Sequence, residues 1–120
     1  MINRYLLDEH VHPEYRMQIL RREPNLRVFI IGDPGAPAKG TLDPELLRWC
    51  EDNDSVLVTN NRKSMPGHLA DHLADDHHVP GIFTLNSDMS IGETVEELIL
   101  LAKASFDYEF RDTIIYLPFT

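Results

Sequence analysis

Short apolar runs alternate with amphipathic stretches of helical length along the whole chain. Tyr5-Leu6-Leu7 is the first run, and it stops at Asp8-Glu9-His10. Pro13 suits the opening turn of a helix, where its missing N–H is not needed. Tyr15, Met17, Ile19 and Leu20 supply that helix with an inward face, and Pro24-Asn25 ends it. Val28-Phe29-Ile30-Ile31 is β-branched and aromatic, the composition of a buried strand, and Gly32-Asp33-Pro34-Gly35 turns the chain after it. A loop of Gly, Pro and Ala from Pro34 to Gly40 leads to a second helix through Pro44, Leu46, Leu47, Trp49 and Cys50, capped by Thr41 or Asp43.

Val56-Leu57-Val58-Thr59 reads as the third strand, ending at Asn60-Asn61. Pro66 opens a third helix with Leu69 and Leu73 at i, i+4 spacing. Ile82-Phe83-Thr84-Leu85 is the fourth strand. Ile91 to Ala104 forms the most regular helix, with Val95, Leu98, Ile99 and Ala102 in one stripe. Thr113 to Leu117 closes the chain as a fifth strand. This order predicts an α/β fold: a three-layer α/β/α sandwich with a mostly parallel sheet of about five strands and right-handed crossovers. Runs without alternation agree with strands buried on both faces. Neither a repeat nor a linker divides residues 1–120, so one domain is expected.

Composition narrows the picture. The chain has 120 residues, 42% of them hydrophobic and 26% charged, which is ordinary for a globular protein and excludes a disordered or low-complexity chain. The single cysteine, Cys50, has no internal disulfide partner, so a reducing, cytoplasmic compartment is expected. No apolar run approaches the ~20 residues of a membrane-spanning helix, and the first residues do not read as a secretory signal. The net charge is −9 and uneven: residues 1–62 carry 8 basic and 10 acidic side chains, residues 63–120 only 3 basic against 10 acidic. Such a balance argues against diffuse attraction to a phosphate backbone and weighs against a nuclease. A nucleic-acid contact falls to Arg16, Arg21, Arg22, Arg48, Arg62 and Lys63, or to a bound cation.

In an open α/β sheet, sites form outside the carboxyl ends of the strands. The side chains expected there are Asp8 and Glu9, Asp33, Asn60 and Asn61, and Asn86, Ser87 and Asp88. Carboxylates gathered on one rim repel each other unless a hard cation such as Mg²⁺ or Mn²⁺ lies between them. The same residue types also cap helices and shape turns. Arg62 and Lys63 are a basic pair suited either to a phosphate or to nearby carboxylates. His10 and His12 are turn residues close to the rim. His68 and His72 share one face of the third helix at a spacing that two ligands of a transition metal use, or they belong to a solvated face with Asp71, Asp75 and Asp76. The Gly32-Asp33-Pro34-Gly35 turn lacks the glycine spacing of a phosphate-binding loop.

Leu6-Leu7-Asp8-Glu9-His10, Gly32-Asp33 with its loop, Asp43-Pro44-Glu45-Leu46-Leu47-Arg48-Trp49 and Val56-Leu57-Val58-Thr59, in this order, resemble the small prokaryotic PIN-like proteins. These are relatives of the PIN-domain nucleases, many of them toxins of toxin–antitoxin pairs. The resemblance spans residues 4 to about 117 and implies an Mg²⁺- or Mn²⁺-dependent ribonuclease acting on RNA. It implies an antitoxin-like protein as partner and allows a homodimer. By position it makes Asp8 a metal ligand, with Asp43 or Glu45 as the acid at the start of the second helix, and it sets Asn61 where the family has an acid, so that Asp8, Glu45 and Asn61 are expected to be catalytic. Arg62, Lys63 and His10, by their place at the rim, are expected toward substrate. The family pattern after the third strand is Thr-x-Asp-x-Asp-aromatic, whereas this chain reads Thr59-Asn60-Asn61-Arg62-Lys63-Ser64. An Asn carbonyl ligates Mg²⁺ without offsetting its charge, and Lys63 adds a like charge. A PIN-like fold that no longer cleaves and instead docks a basic partner is the rival expectation.

Overall fold

A computed structural model describes residues 1–119. The elements run β1 (Arg4–Leu7), α1 (Glu14–Arg22), β2 (Arg27–Ile30), α2 (Asp43–Asp52), β3 (Val56–Thr59), α3 (Met65–Ala74), β4 (Ile82–Thr84), α4 (Ile91–Ala104) and β5 (Ile114–Tyr116). The five strands form one sheet in the order β2-β1-β3-β4-β5, and every pairing is parallel. The three-layer α/β/α architecture follows from how the strand residues divide between the two faces.

Successive strand side chains point to opposite faces. Tyr5, Leu7, Val56, Val58 and Phe83 join Ile19 of α1 and Val95, Leu98 and Ile99 of α4 in one core cluster. Leu6, Leu57 and Ile82 join Leu46, Leu47 and Cys50 of α2 and Met65 and Leu69 of α3 in the other. The register makes this division continuous: Leu6 lies beside Leu57 and Leu57 beside Ile82, while Leu7 lies beside Val58 and Val58 beside Phe83. Because both faces are covered, the strands are apolar on both faces through their interiors, and polar residues stand only at their ends: Arg4 and Arg27 at the starts of β1 and β2, Thr59 and Thr84 at the ends of β3 and β4.

The crossovers do not all share one hand. The helices α1 and α4 pack on the same face, yet β1 to β2 and β4 to β5 step across the sheet in opposite directions. The crossover through α4 therefore has the opposite hand to that through α1, against the expectation of uniformly right-handed units. What holds α4 there is its docking beside β1: the Tyr5 hydroxyl donates to the Leu98 carbonyl at 2.7 Å, and the Ile2 N–H donates to the Ala102 carbonyl at 2.9 Å.

Three local expectations are also corrected. The N-cap of α2 is Leu42 with no side-chain cap; Thr41 donates its hydroxyl to the Ala38 carbonyl instead, and Asp43 is the first helical residue, its carboxylate engaged elsewhere. Met17 is exposed rather than inward. Leu85 lies past the end of β4, although its N–H still reaches the Thr59 carbonyl at 2.9 Å. Helix α4 owes its sharp start to a capping box in which Ser90 accepts from the Glu93 N–H and Glu93 accepts from the Ser90 N–H.

No helix of the described residues is long and apolar enough to cross a membrane. Leu57 is fully buried at the centre of the sheet. Leu57→Ala is expected to cost about 2–5 kcal/mol of unfolding free energy, whereas Ser90→Ala is expected to cost about 1 kcal/mol. Urea denaturation of both variants checks the ranking.

Candidate functional site

The strand order reverses between β1 and β3: the chain leaves β1 toward β2 and leaves β3 toward β4. The connections diverge there, so the carboxyl ends of the two strands mark the crevice position at which open α/β sheets receive ligands. Asp8 is the first residue past β1, held at the rim by its N–H bond to the Val58 carbonyl at 2.9 Å. Thr59 is the last residue of β3 and is fully buried.

A chain of hydrogen bonds runs across the crevice from these two residues. The Thr59 hydroxyl donates to Asp8 Oδ2 at 2.7 Å, joining residues 51 apart in sequence. The Glu9 N–H donates to Asp8 Oδ1 at 2.7 Å. The Thr59 oxygen accepts from the Asn61 N–H at 3.0 Å, and Asn61 Nδ2 donates to Asp43 Oδ2 at 2.7 Å. His68 of α3 brings Nε2 to 3.5 Å from the same Asp43 oxygen. Asn61 Oδ1 accepts from the Ser64 N–H and hydroxyl at 3.2 and 2.9 Å, shaping the turn into α3. Asp8, Thr59, Asn61, Asp43 and His68 thus form one network, anchored on β1, β3, α2 and α3.

An ionised carboxylate accepts about four hydrogen bonds, so Asp8 and Asp43 keep lone pairs for a further partner. The donors that hold Asp8 and Asp43 through hydrogen bonds are neutral. Asp8 also acts on the α2 face of the sheet, where burial first and the Asp8 charge second push the Cys50 thiol far up. Cys50 is fully buried, and as a thiol it is packing rather than a nucleophile.

The remaining sequence candidates are divided. Glu45 lies two residues after Asp43, hence on a different side of α2, and is exposed. Among the described residues, Asp8, Asp43 and Glu45 do not bring three carboxylates within 4.8 Å of one another. Of the two acids expected at the start of the second helix, Asp43 therefore joins the hydrogen-bonded network that holds Asp8, and Glu45 does not. Asp33 pairs with Arg16 and accepts from the Ile30 N–H, so it belongs to the turn after β2. Arg62 stacks its guanidinium 5.1 Å from the Tyr116 ring centre, at the β5 side of the rim. Lys63 and His10 are exposed. His12 accepts from the Glu14 N–H at the start of α1, and Asn86 accepts from the Asp88 N–H in a turn.

His68 and His72 do not share a partner. His68 faces Asp43, while buried His72 faces Glu51 at the other end of α2. Two members of the rim network were not legible as functional residues: the Thr59 hydroxyl and His68 as a neighbour of Asp43. Thr59 does carry a signal in the sequence, as the one polar side chain in Val56-Leu57-Val58-Thr59. Searches of family models, curated proteins and solved structures find no significant match to this chain.

Thr59 is the keystone of the network, because its hydroxyl serves both Asp8 and the Asn61 backbone. Thr59→Val keeps the shape and removes both bonds, so a loss of about 1–3 kcal/mol is expected in chemical denaturation, with Thr59→Ser restoring most of it.

Proposed function

We propose that the chain is a PIN-like, metal-dependent ribonuclease working at the β1–β3 crevice, in the manner of the toxin half of a toxin–antitoxin pair. The observation that carries this reading is the hydrogen-bonded network linking Asp8 to Asp43 through Thr59 and Asn61. It supports the reading because carboxylates from distant parts of the chain are oriented by neutral hydrogen-bond donors at the ends of two adjacent strands.

Asp8 and Asp43 hold Mg²⁺ or Mn²⁺, with water and substrate phosphate completing the oxygen shell. Such a cation supplies a lowered pKa for bound water and a clamp on the scissile phosphate. The Thr59 hydroxyl and Glu9 N–H fix the Asp8 carboxylate. Asn61 positions Asp43 rather than serving as a ligand, because its carbonyl oxygen is already turned to Ser64. Arg62, Lys63 and His10 meet the RNA backbone, which the acidic remainder of the chain does not attract. An antitoxin-like partner with a basic surface docks on the acidic second half.

Cleavage of single-stranded RNA is expected with Mg²⁺ or Mn²⁺, and none after chelation. Asp8→Asn and Asp43→Asn abolish it while circular dichroism stays unchanged. Intact RNA under every cation, or cleavage that survives Asp8→Asn, refutes the reading.

One observation favours a second reading, a PIN-like module that binds without cleaving. Asn61 spends both ends of its amide inside the protein, and exposed Lys63 stands two residues on, where the resembled family has a second acid. On this reading the native chain shows no heat of Mn²⁺ binding at the rim in calorimetry. The double variant Asn61→Asp, Lys63→Asp then gains both Mn²⁺ affinity and RNA cleavage.

A further inference from the structure

The ends of α2 and α3 away from the rim carry a different set of side chains. Each of these helices has 10 residues, so their carboxyl ends lie about 15 Å along the helix axes from the Asp43 end. Glu51 sits in the last turn of α2, His72 in the last turn of α3, and His77 in the loop that follows. Asp76, with φ of 62°, takes the left-handed conformation that reverses the chain after α3. The His77 N–H then bonds to the His72 carbonyl at 3.1 Å. The two imidazoles stack 4.9 Å apart with planes 23° from parallel.

This fold-back gathers three donors. His77 Nδ1 lies 2.8 Å and His72 Nε2 3.5 Å from Glu51 Oε1. The ligand atoms of Glu51, His72 and His77 all lie within 4.8 Å of one another, the only such trio of His, Cys, Asp or Glu among the described residues. A tetrahedral ion with bonds of about 2.0 Å needs its ligands about 3.3 Å apart, so small side-chain movements suffice. The second carboxylate oxygen, Glu51 Oε2, accepts from the His78 N–H at 3.0 Å, which holds the carboxylate in place from behind. A cleft of about 50 Å³ between α2 and α3, lined by Arg48, His68, Asp71, His72, Asp75 and His77, opens beside the trio. It has room for an ion and a water in the fourth position.

We propose that Glu51, His72 and His77 form a binding site for a borderline first-row cation, Zn²⁺ above all, clamping the carboxyl end of α2 to the end of α3. Two imidazoles and one carboxylate suit Zn²⁺ and not the hard cations Mg²⁺ and Ca²⁺. His72 gives up its contact with the His78 carbonyl, 3.1 Å away, and offers Nε2 to the ion with its proton on Nδ1. His77 offers Nδ1 and keeps its proton on Nε2. His72 is buried, so the ion ties a core side chain to a surface loop. This proposal is independent of the ribonuclease reading, since it shares no ligand with the rim.

The test uses the tag-free full chain, stripped with a chelator and titrated with ZnCl₂ alone by calorimetry and thermal unfolding. The expected result is one Zn²⁺ per chain, a melting temperature raised by Zn²⁺ and not by Mg²⁺, and a visible Co²⁺ absorption band of a low-coordinate site. Glu51→Gln and His77→Ala, both at partly exposed positions, weaken Zn²⁺ binding at least about tenfold with the fold intact. Asp8→Asn leaves Zn²⁺ binding unchanged. No saturable Zn²⁺ binding, binding indifferent to Glu51→Gln and His77→Ala, or binding lost in Asp8→Asn overturns the proposal.

Discussion

The pairing of β1 with β3 is the constraint on which the rest of the molecule depends. Tyr5, Leu6 and Leu7 lie beside Val56, Leu57 and Val58, and their alternation sends one set of side chains to each of the two cores. A slip of one residue would turn every one of these side chains to the wrong layer. The same register fixes the end of the pair, placing Asp8 against Val58 and its carboxylate within reach of the Thr59 hydroxyl. The candidate site is thus the next step of the ladder, where apolar residues give way to polar ones.

Much of the fold was legible because the apolar runs are short, bounded by turn residues and free of alternation, which in a chain of this size leaves few alternatives to a covered parallel sheet. The boundaries of α4 agree with its stripe of Val95, Leu98, Ile99 and Ala102 and with the Ser90 and Glu93 capping box. What the pattern did not carry was which face α4 would cover. That choice rests on contacts between residues far apart in sequence, such as Tyr5 with Leu98, 93 residues away. The site was partly legible. Asp8 and Asn61 stand where strand ends place them, but choosing between Asp43 and Glu45 required the rotation of α2. The role of Thr59 required the register, and the histidines were read by helical spacing when a chain reversal at Asp76 decides their partners.

Charge explains why the rim and the opposite helix ends differ in character. Arg16, a cation within reach of the sheet edge, is taken up by Asp33. Asp8 and Asp43 are held by a hydroxyl, a backbone N–H and an amide, none of which carries charge. Asp43 further lies in the first turn of α2, where the helix dipole favours an anion. Glu51 lies at the carboxyl end of the same helix, where the dipole is unfavourable to it. Burial raises its pKa, but the His78 N–H, the His77 ring and the nearby His72 outweigh that and hold the carboxyl below its ordinary value.

The two proposed ion sites are therefore separated by ligand chemistry as well as by distance. Oxygen donors alone at the crevice select a hard cation, while imidazole nitrogens at the far end select a softer one, so neither ion competes well for the other's place. Both sites are nonetheless built on the same two helices: α2 supplies Asp43 at one end and Glu51 at the other, and α3 supplies His68 and His72. Leu46, Leu47, Met65 and Leu69 pack these helices together between the two ends. The alignment of α2 and α3 matters at the rim because Asp43 rides on α2 while Asn61, its hydrogen-bond donor, leads into α3.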